Sequence, residues 1–174
     1  MKQLLVSILL VFSFIPLGVS GVEPAQELDW DSLIPADFRP DKIIEQLGNF
    51  SDLEDDDPQV QAIMQALEKA WNEAPVVESL DGKRVKLPGY VVPLEGDGTK
   101  LSEFLLVPYY GACIHVPPPP ANQTVYVKVP KKDAKIRQAF DTVWVTGTMS
   151  AKPFTSDLAT AGYQIEAEEV TPYE

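Results

Sequence analysis

The chain predicts a mainly β fold of the α+β class: a small, partly closed β-barrel with an N-terminal helical extension. Three observations predict it. From Val76 onward apolar residues recur with a period of two, the alternation of a strand with one face in a core. Proline outnumbers glycine by 16 to 10, which favours strands, turns and extended segments over a helical bundle. The clearest helical spacing lies ahead of the strands. A length of 174 residues is that of one domain plus an extension, large enough to stand on its own core without disulfide or metal.

Taken in order, the chain opens with Lys2, an apolar run over residues 4–17 and the small residues Gly18, Ser20 and Gly21. This is the layout of a signal peptide over residues 1–20, cleaved after Ser20, and it predicts export to the periplasm. The run is shorter than the roughly 20 apolar residues of a membrane helix, so no span is expected in the mature form. Residues 21–75 read as a linker and helical extension. A flexible stretch leads to the anchors Trp30, Leu33, Ile34, Phe38, Ile43, Ile44 and Leu47, then to an acidic turn over residues 52–57. Asp57 can cap a helix with Pro58 at its first position. Val60, Ile63, Met64, Leu67 and Trp71 then follow at helical spacing, a stripe expected to pack on the core.

Residues 76–174 read as the barrel domain. Residues 76–80, the Asp81-Gly82 turn and residues 83–94 are expected to form a β-hairpin, with Pro88-Gly89 as a bulge or bend. Residues 101–107, 124–129, 143–150 and 162–170 supply further strands, with Val125, Val127 and Val129 on one face. A short helix is expected over residues 133–141.

The formal net charge is −12. A surface this acidic repels phosphate backbones and anionic headgroups, so nucleic acid is not expected as a partner. Cys113 is the single cysteine, so no internal disulfide can form in the oxidising compartment that export implies. His115 is the single histidine, two positions on.

These two residues sit in the most distinctive segment of the chain, which runs from Pro108, Tyr109 and Tyr110 through Gly111-Ala112-Cys113-Ile114-His115-Val116 to four prolines, Pro117, Pro118, Pro119 and Pro120, and then Asn122 and Gln123. If residues 113–115 are extended, Cys113 and His115 project to the same side and could reach one ion. Thiolate with imidazole suits zinc or copper. Two ligands are too few, and Glu95 and Glu103 are the first candidates to complete the set. On the other reading the thiol is a small buried hydrophobe and the imidazole a packing residue. No phosphate loop, Ser/His/Asp set or dinucleotide fingerprint is present; no catalytic residue is assigned, and a thiol enzyme is a minor alternative.

The same segment carries a resemblance. Together with Trp30-Asp31-Ser32-Leu33-Ile34-Pro35, Leu80-Asp81-Gly82-Lys83, Leu87-Pro88-Gly89-Tyr90-Val91-Val92-Pro93-Leu94-Glu95, Val143-Trp144-Val145-Thr146-Gly147 and Ala161-Gly162-Tyr163, it resembles a family of exported bacterial envelope proteins of unknown function. The resemblance implies an OB-like barrel, export, and genes lying near ABC-type permeases in some bacteria. It brings no catalytic residues. Two functions arise as expectations. One is a non-enzymatic periplasmic accessory protein that binds zinc or copper through Cys113 and His115 and serves an ABC-type envelope transporter. The other is a protein-interaction module that presents Tyr109, Tyr110, the prolines 117–120, Asn122 and Gln123 as a rigid recognition loop, with Cys113 and His115 as internal supports.

Overall fold

A computed structural model of the protein describes residues 23–39, 42, 45, 57–94, 102–113, 118–130 and 139–173. The predicted signal peptide, Glu95, His115, Pro117 and most of the helix expected over residues 133–141 lie outside the described residues; of that helix, residues 139–141 are described and are not helical, 139–140 forming a turn. In chain order the structure runs β1 (Gln26–Glu27), a 3₁₀ turn (Asp31–Leu33), α1 (Pro58–Asn72), a 3₁₀ turn (Glu78–Leu80), β2 (Arg84–Pro93), β3 (Glu103–Val107), a 3₁₀ turn (Ala121–Gln123), β4 (Val125–Lys128), β5 (Thr142–Ser150), β6 (Phe154–Thr155), β7 (Thr160–Ala161) and β8 (Tyr163–Pro172).

Period-two patterning closes into a barrel. The strand circuit is β2-β3-β4-β8-β5 and back to β2, with β4 and β8 parallel and the other neighbours antiparallel. Inserting the last strand between the third and fourth makes this an OB-like barrel. It is closed, where the sequence suggested partial closure. Val85, Leu87 and Val91 of β2, Phe104 and Leu106 of β3, Val125 and Val127 of β4, Val143, Val145 and Met149 of β5, and Tyr163, Ile165 and Val170 of β8 fill one core. Val129, just beyond β4, shares that inner face with Val125 and Val127.

Two expectations within the strands are corrected. Residues 76–80 are not the first arm of a hairpin: Val77 is extended, Glu78–Leu80 forms a 3₁₀ turn, and β2 finds its antiparallel partners in β3 and β5. Pro88-Gly89 is not a bulge, because the register from Arg84↔Thr148 to Tyr90↔Thr142 passes through it unbroken. The register shift lies at Thr146/Gly147, where Glu168 of β8 is passed over, so that Ala167 and Val170 both still point inward.

The N-terminal segment belongs to the same core. Leu28 and Leu33 are buried with the barrel residues, and the Trp30 Nε1 donates to the Pro88 carbonyl at 2.8 Å. The Tyr163 hydroxyl donates to the Leu33 carbonyl at 2.8 Å and accepts from the Val77 amide. Helix α1 forms as the sequence predicts: the Asp57 carboxylate accepts from the Gln59 amide at 2.7 Å, and Pro58 occupies the first turn, where its missing N–H costs nothing. Its apolar stripe departs from the expected core packing. None of its 15 residues is buried, because Leu28, Leu33 and Leu80 already complete the barrel core and leave the helix at the periphery.

Candidate functional site

In OB-like barrels the outer face of the second and third strands, with the loops beside it, is where oligonucleotides and oligosaccharides bind. Here that face is filled. Val92 of β2, Leu105 and Val107 of β3 and Tyr126 of β4 point outward into a second apolar cluster with Ala112, Ala159 and Ala161. The β6–β7 hairpin lies over it, and the Phe154 ring stacks on Tyr126 with centroids 3.9 Å apart and planes 15° from parallel. Burial, together with a hydrogen bond to the Glu103 carboxylate, pushes the Tyr126 hydroxyl up to about 12.

At the margin of this second cluster the chain leaves β3 and makes a tight turn. Gly111 has φ +83° and Cys113 has φ +67°. Cys113 is therefore left-handed, and the extended geometry that would place Cys113 and His115 on one side does not hold at Cys113. Its side chain packs on the second cluster, and burial pushes the thiol up to about 11. Burial, with the nearby Cys113 thiol, also raises the Tyr109 hydroxyl. Of the other candidate ligands, Glu103 opens β3, at the end away from this turn, and bonds Tyr126. His115 and Glu95 lie outside the described residues, and among the described residues no three of His, Cys, Asp and Glu come together as a metal cluster.

The state of the thiol has a direct chemical readout. At pH 7 a thiol near 11 is ionised to about one part in 10⁴, against about 1% for a cysteine at its ordinary 9.0. We expect alkylation of native Cys113 by iodoacetamide at pH 7 to run about two orders of magnitude slower than in the urea-unfolded chain. Equal rates would show a thiol in free contact with water.

Beside Cys113, aromatic side chains gather. Tyr110 is 65% exposed and Tyr109 43%. The Tyr110 ring meets Tyr90 edge-on at 6.1 Å and Phe140 at 5.0 Å. Phe140 has φ +66°, and with Cys113 it is one of two non-glycine residues at positive φ among the described residues. Each such backbone costs of order 1–3 kcal/mol and persists only where its surroundings hold it. Both lie at this corner.

The rest of the predicted recognition loop is not an exposed arm. Pro119 is buried, and Pro118 and Pro120 are half-buried. Asn122 is fully buried, donating from Nδ2 to the Pro75 carbonyl at 3.0 Å, and Gln123 Nε2 donates to the Trp30 carbonyl at 2.7 Å. These two side chains fasten the N-terminal extension to the barrel. As contact residues for a partner they are corrected: Asn122 has no exposed surface, its Oδ1 being enclosed without a hydrogen-bond partner among the described residues, and Gln123 is half-buried with its Nε2 already engaged.

A second feature was missed in the sequence. Met64, Leu67, Glu68, Trp71 and Asn72 of α1 form one wall of a groove of about 670 Å³; Pro118 and Pro119 and the turn over residues 155–160 form the rest. The signal was present as the apolar stripe of α1, which resembles a core-facing stripe.

The comparisons with known proteins fit this architecture. A family model described as a protein of unknown function (DUF3299) matches residues 30–172. A crystal structure of a DUF3299 family protein from Pseudomonas aeruginosa PAO1 is similar with a TM-score of 0.62 and 44% identity, covering 87% of this chain and 97% of that one. No curated protein matches the chain. With the family match spanning the barrel and much of the N-terminal extension, the chain belongs to the DUF3299 family of proteins of unknown function.

Proposed function

We propose that the protein is a non-enzymatic accessory protein of the bacterial envelope, working in the periplasm beside an ABC-type transporter, and that it recognises a protein partner through the Tyr109–Tyr110 corner. The observation that carries this reading is the exposure of two adjacent tyrosines on a backbone held in a strained turn. Large, stiff aromatic side chains presented without loss of freedom are the usual anchors of protein interfaces. Cys113 supports the corner from beneath as a packed thiol. A metal-binding reading of Cys113 with His115 draws no support from the apolar surroundings of that thiol.

The test is site-directed photocrosslinking in the exporting cell. A photoreactive phenylalanine at Tyr110 should capture one defined partner, and the same group at the exposed Lys152 should not. The purified partner should then bind Tyr109→Ala/Tyr110→Ala at least about 30-fold more weakly, the loss expected when aromatic anchors are truncated. Identical adducts from both positions, or unchanged affinity of the double variant, would rule the corner out.

A further inference from the structure

The groove beside α1 shares no lining residue with the tyrosine corner, so its occupant is independent of any partner bound there. Met64, Leu67 and Trp71 stand at i, i+3 and i+7 on α1, so one helical stripe supplies an apolar wall. That stripe is only partly covered: Leu67 and Trp71 are half-buried, Met64 is 58% exposed, and no residue of α1 is fully buried. Across the groove stands Leu158, in a turn with its own internal bonding. The Ser156 hydroxyl accepts from the Leu158 and Ala159 amides at 3.3 Å each and donates to the Ala159 carbonyl at 3.1 Å. Pro118 and Pro119 between the walls have no N–H to offer. The groove is therefore held in shape, with little main chain left to pair with a strand. It is built to take apolar side chains.

Its charge is one-sided. Glu68 on the helix wall and Asp157 on the turn wall are both exposed, and among the described residues no lysine or arginine lines the groove. Lys69, next along the helix, pairs with Glu73 at 3.6 Å. An apolar trench with a carboxylate on each wall, in a chain of net charge −12, complements one kind of occupant. We propose that this groove docks a basic amphipathic helix of a partner protein. Its apolar side chains lie between Trp71 and Leu158, and its lysines or arginines face Glu68 and Asp157. This is the helix-in-groove mode of recognition, in which apolar anchors supply affinity and charge sets orientation.

The experiment is calorimetric titration of the whole protein with two synthetic peptides of identical helical pattern, one of leucine and lysine and one of leucine and glutamate. The Leu/Lys peptide should bind at least about tenfold more tightly, and more weakly as salt rises. Met64→Lys, and separately Glu68→Lys/Asp157→Lys, should each weaken it by at least about tenfold. These positions are exposed, so the fold, followed by circular dichroism, should be unchanged. Tyr109→Ala/Tyr110→Ala should bind the peptide as the wild type does, which keeps failure here separate from failure at the corner. Binding that ignores these groove substitutions would mark general attraction to an acidic surface and overturn the proposal. So would an absence of peptide binding combined with uptake of a neutral apolar dye, which would assign the groove to a small ligand.

Discussion

Replacing Gly147 by alanine should destabilise the protein by about 3 kcal/mol or more, a fall in melting temperature of roughly 6–12 °C for a domain of this size. A Cβ at this position would stand 2.3 Å from the Glu166 carbonyl oxygen and 2.8 Å from the Ala167 Cα. Both are backbone atoms of β8, so no side chain can swing aside to make room. The clash falls where the β5–β8 register shifts, and relief requires the two strands to part at a seam the barrel needs for closure. Gly82→Ala is the matched control. A Cβ there meets nothing within 4 Å, and only its φ of +73° opposes alanine, at a cost of about 1–2 kcal/mol. Thermal melts of the two variants separate the effects. A Gly147→Ala protein that melts with the wild type would mean that β5 and β8 do not approach so closely.

Tyr163→Phe should cost about 2–4 kcal/mol although it removes a single oxygen. That oxygen donates to the Leu33 carbonyl and accepts from the Val77 amide, in a residue with no exposed surface. Phenylalanine fills the same space and leaves a carbonyl and an amide without partners; each unmet buried group costs about 1–3 kcal/mol. The hydroxyl also contributes to the response to alkali. Burial raises Tyr163 above its ordinary 10.0, as it raises Cys113 from 9.0 to about 11 and Tyr126 from 10.0 to about 12. In each case the unfolded chain loses the proton first. The stabilisation from these groups is thus intact below about pH 9 and is lost as pH climbs toward 12. Urea midpoints at neutral pH and at pH near 10 should show the wild type weakening with alkali, and Tyr163→Phe weaker at neutral pH with a shallower decline. A neutral substitution would show that the three segments are not tied through this oxygen.

The barrel was legible because alternation is a direct image of a strand with one wet face: Val125, Val127 and Val129 declare their common side without any knowledge of partners. The cap of α1 was legible for a similar reason, since Asp57 and Pro58 act within one turn. What could not be read was which elements meet. Residues 76–80 are a short apolar run that serves a 3₁₀ turn as well as a strand. The stripe of α1 looks the same whether it faces a core or a groove. At the candidate site the limit was backbone conformation. The spacing of Cys113 and His115 implies a shared side only on an extended chain, and nothing in the residue type announces that Cys113 is left-handed. Asn122 and Gln123 read as contact residues because they are polar beside a proline run. Their use as internal clips depends on Pro75 and Trp30, which lie far away in sequence.

The place of β8 bears on how the molecule comes into being. It is the last barrel strand in the chain and lies between β4 and β5, so those two never pair with each other. While the chain emerges from its N-terminus, each waits with an open edge for a strand that has yet to be made. The Tyr163 bond to Leu33 spans 130 residues and can form only once that strand has arrived. Such far-reaching pairings set folding times of milliseconds to seconds in small β proteins, because the loops must close before any contact rewards them. Strands β2, β3, β4 and β5 can pair before that point, but the sheet they make stays open. Until β8 arrives the facing edges of β4 and β5 lack their partner, so closure of the barrel is the last event in its assembly.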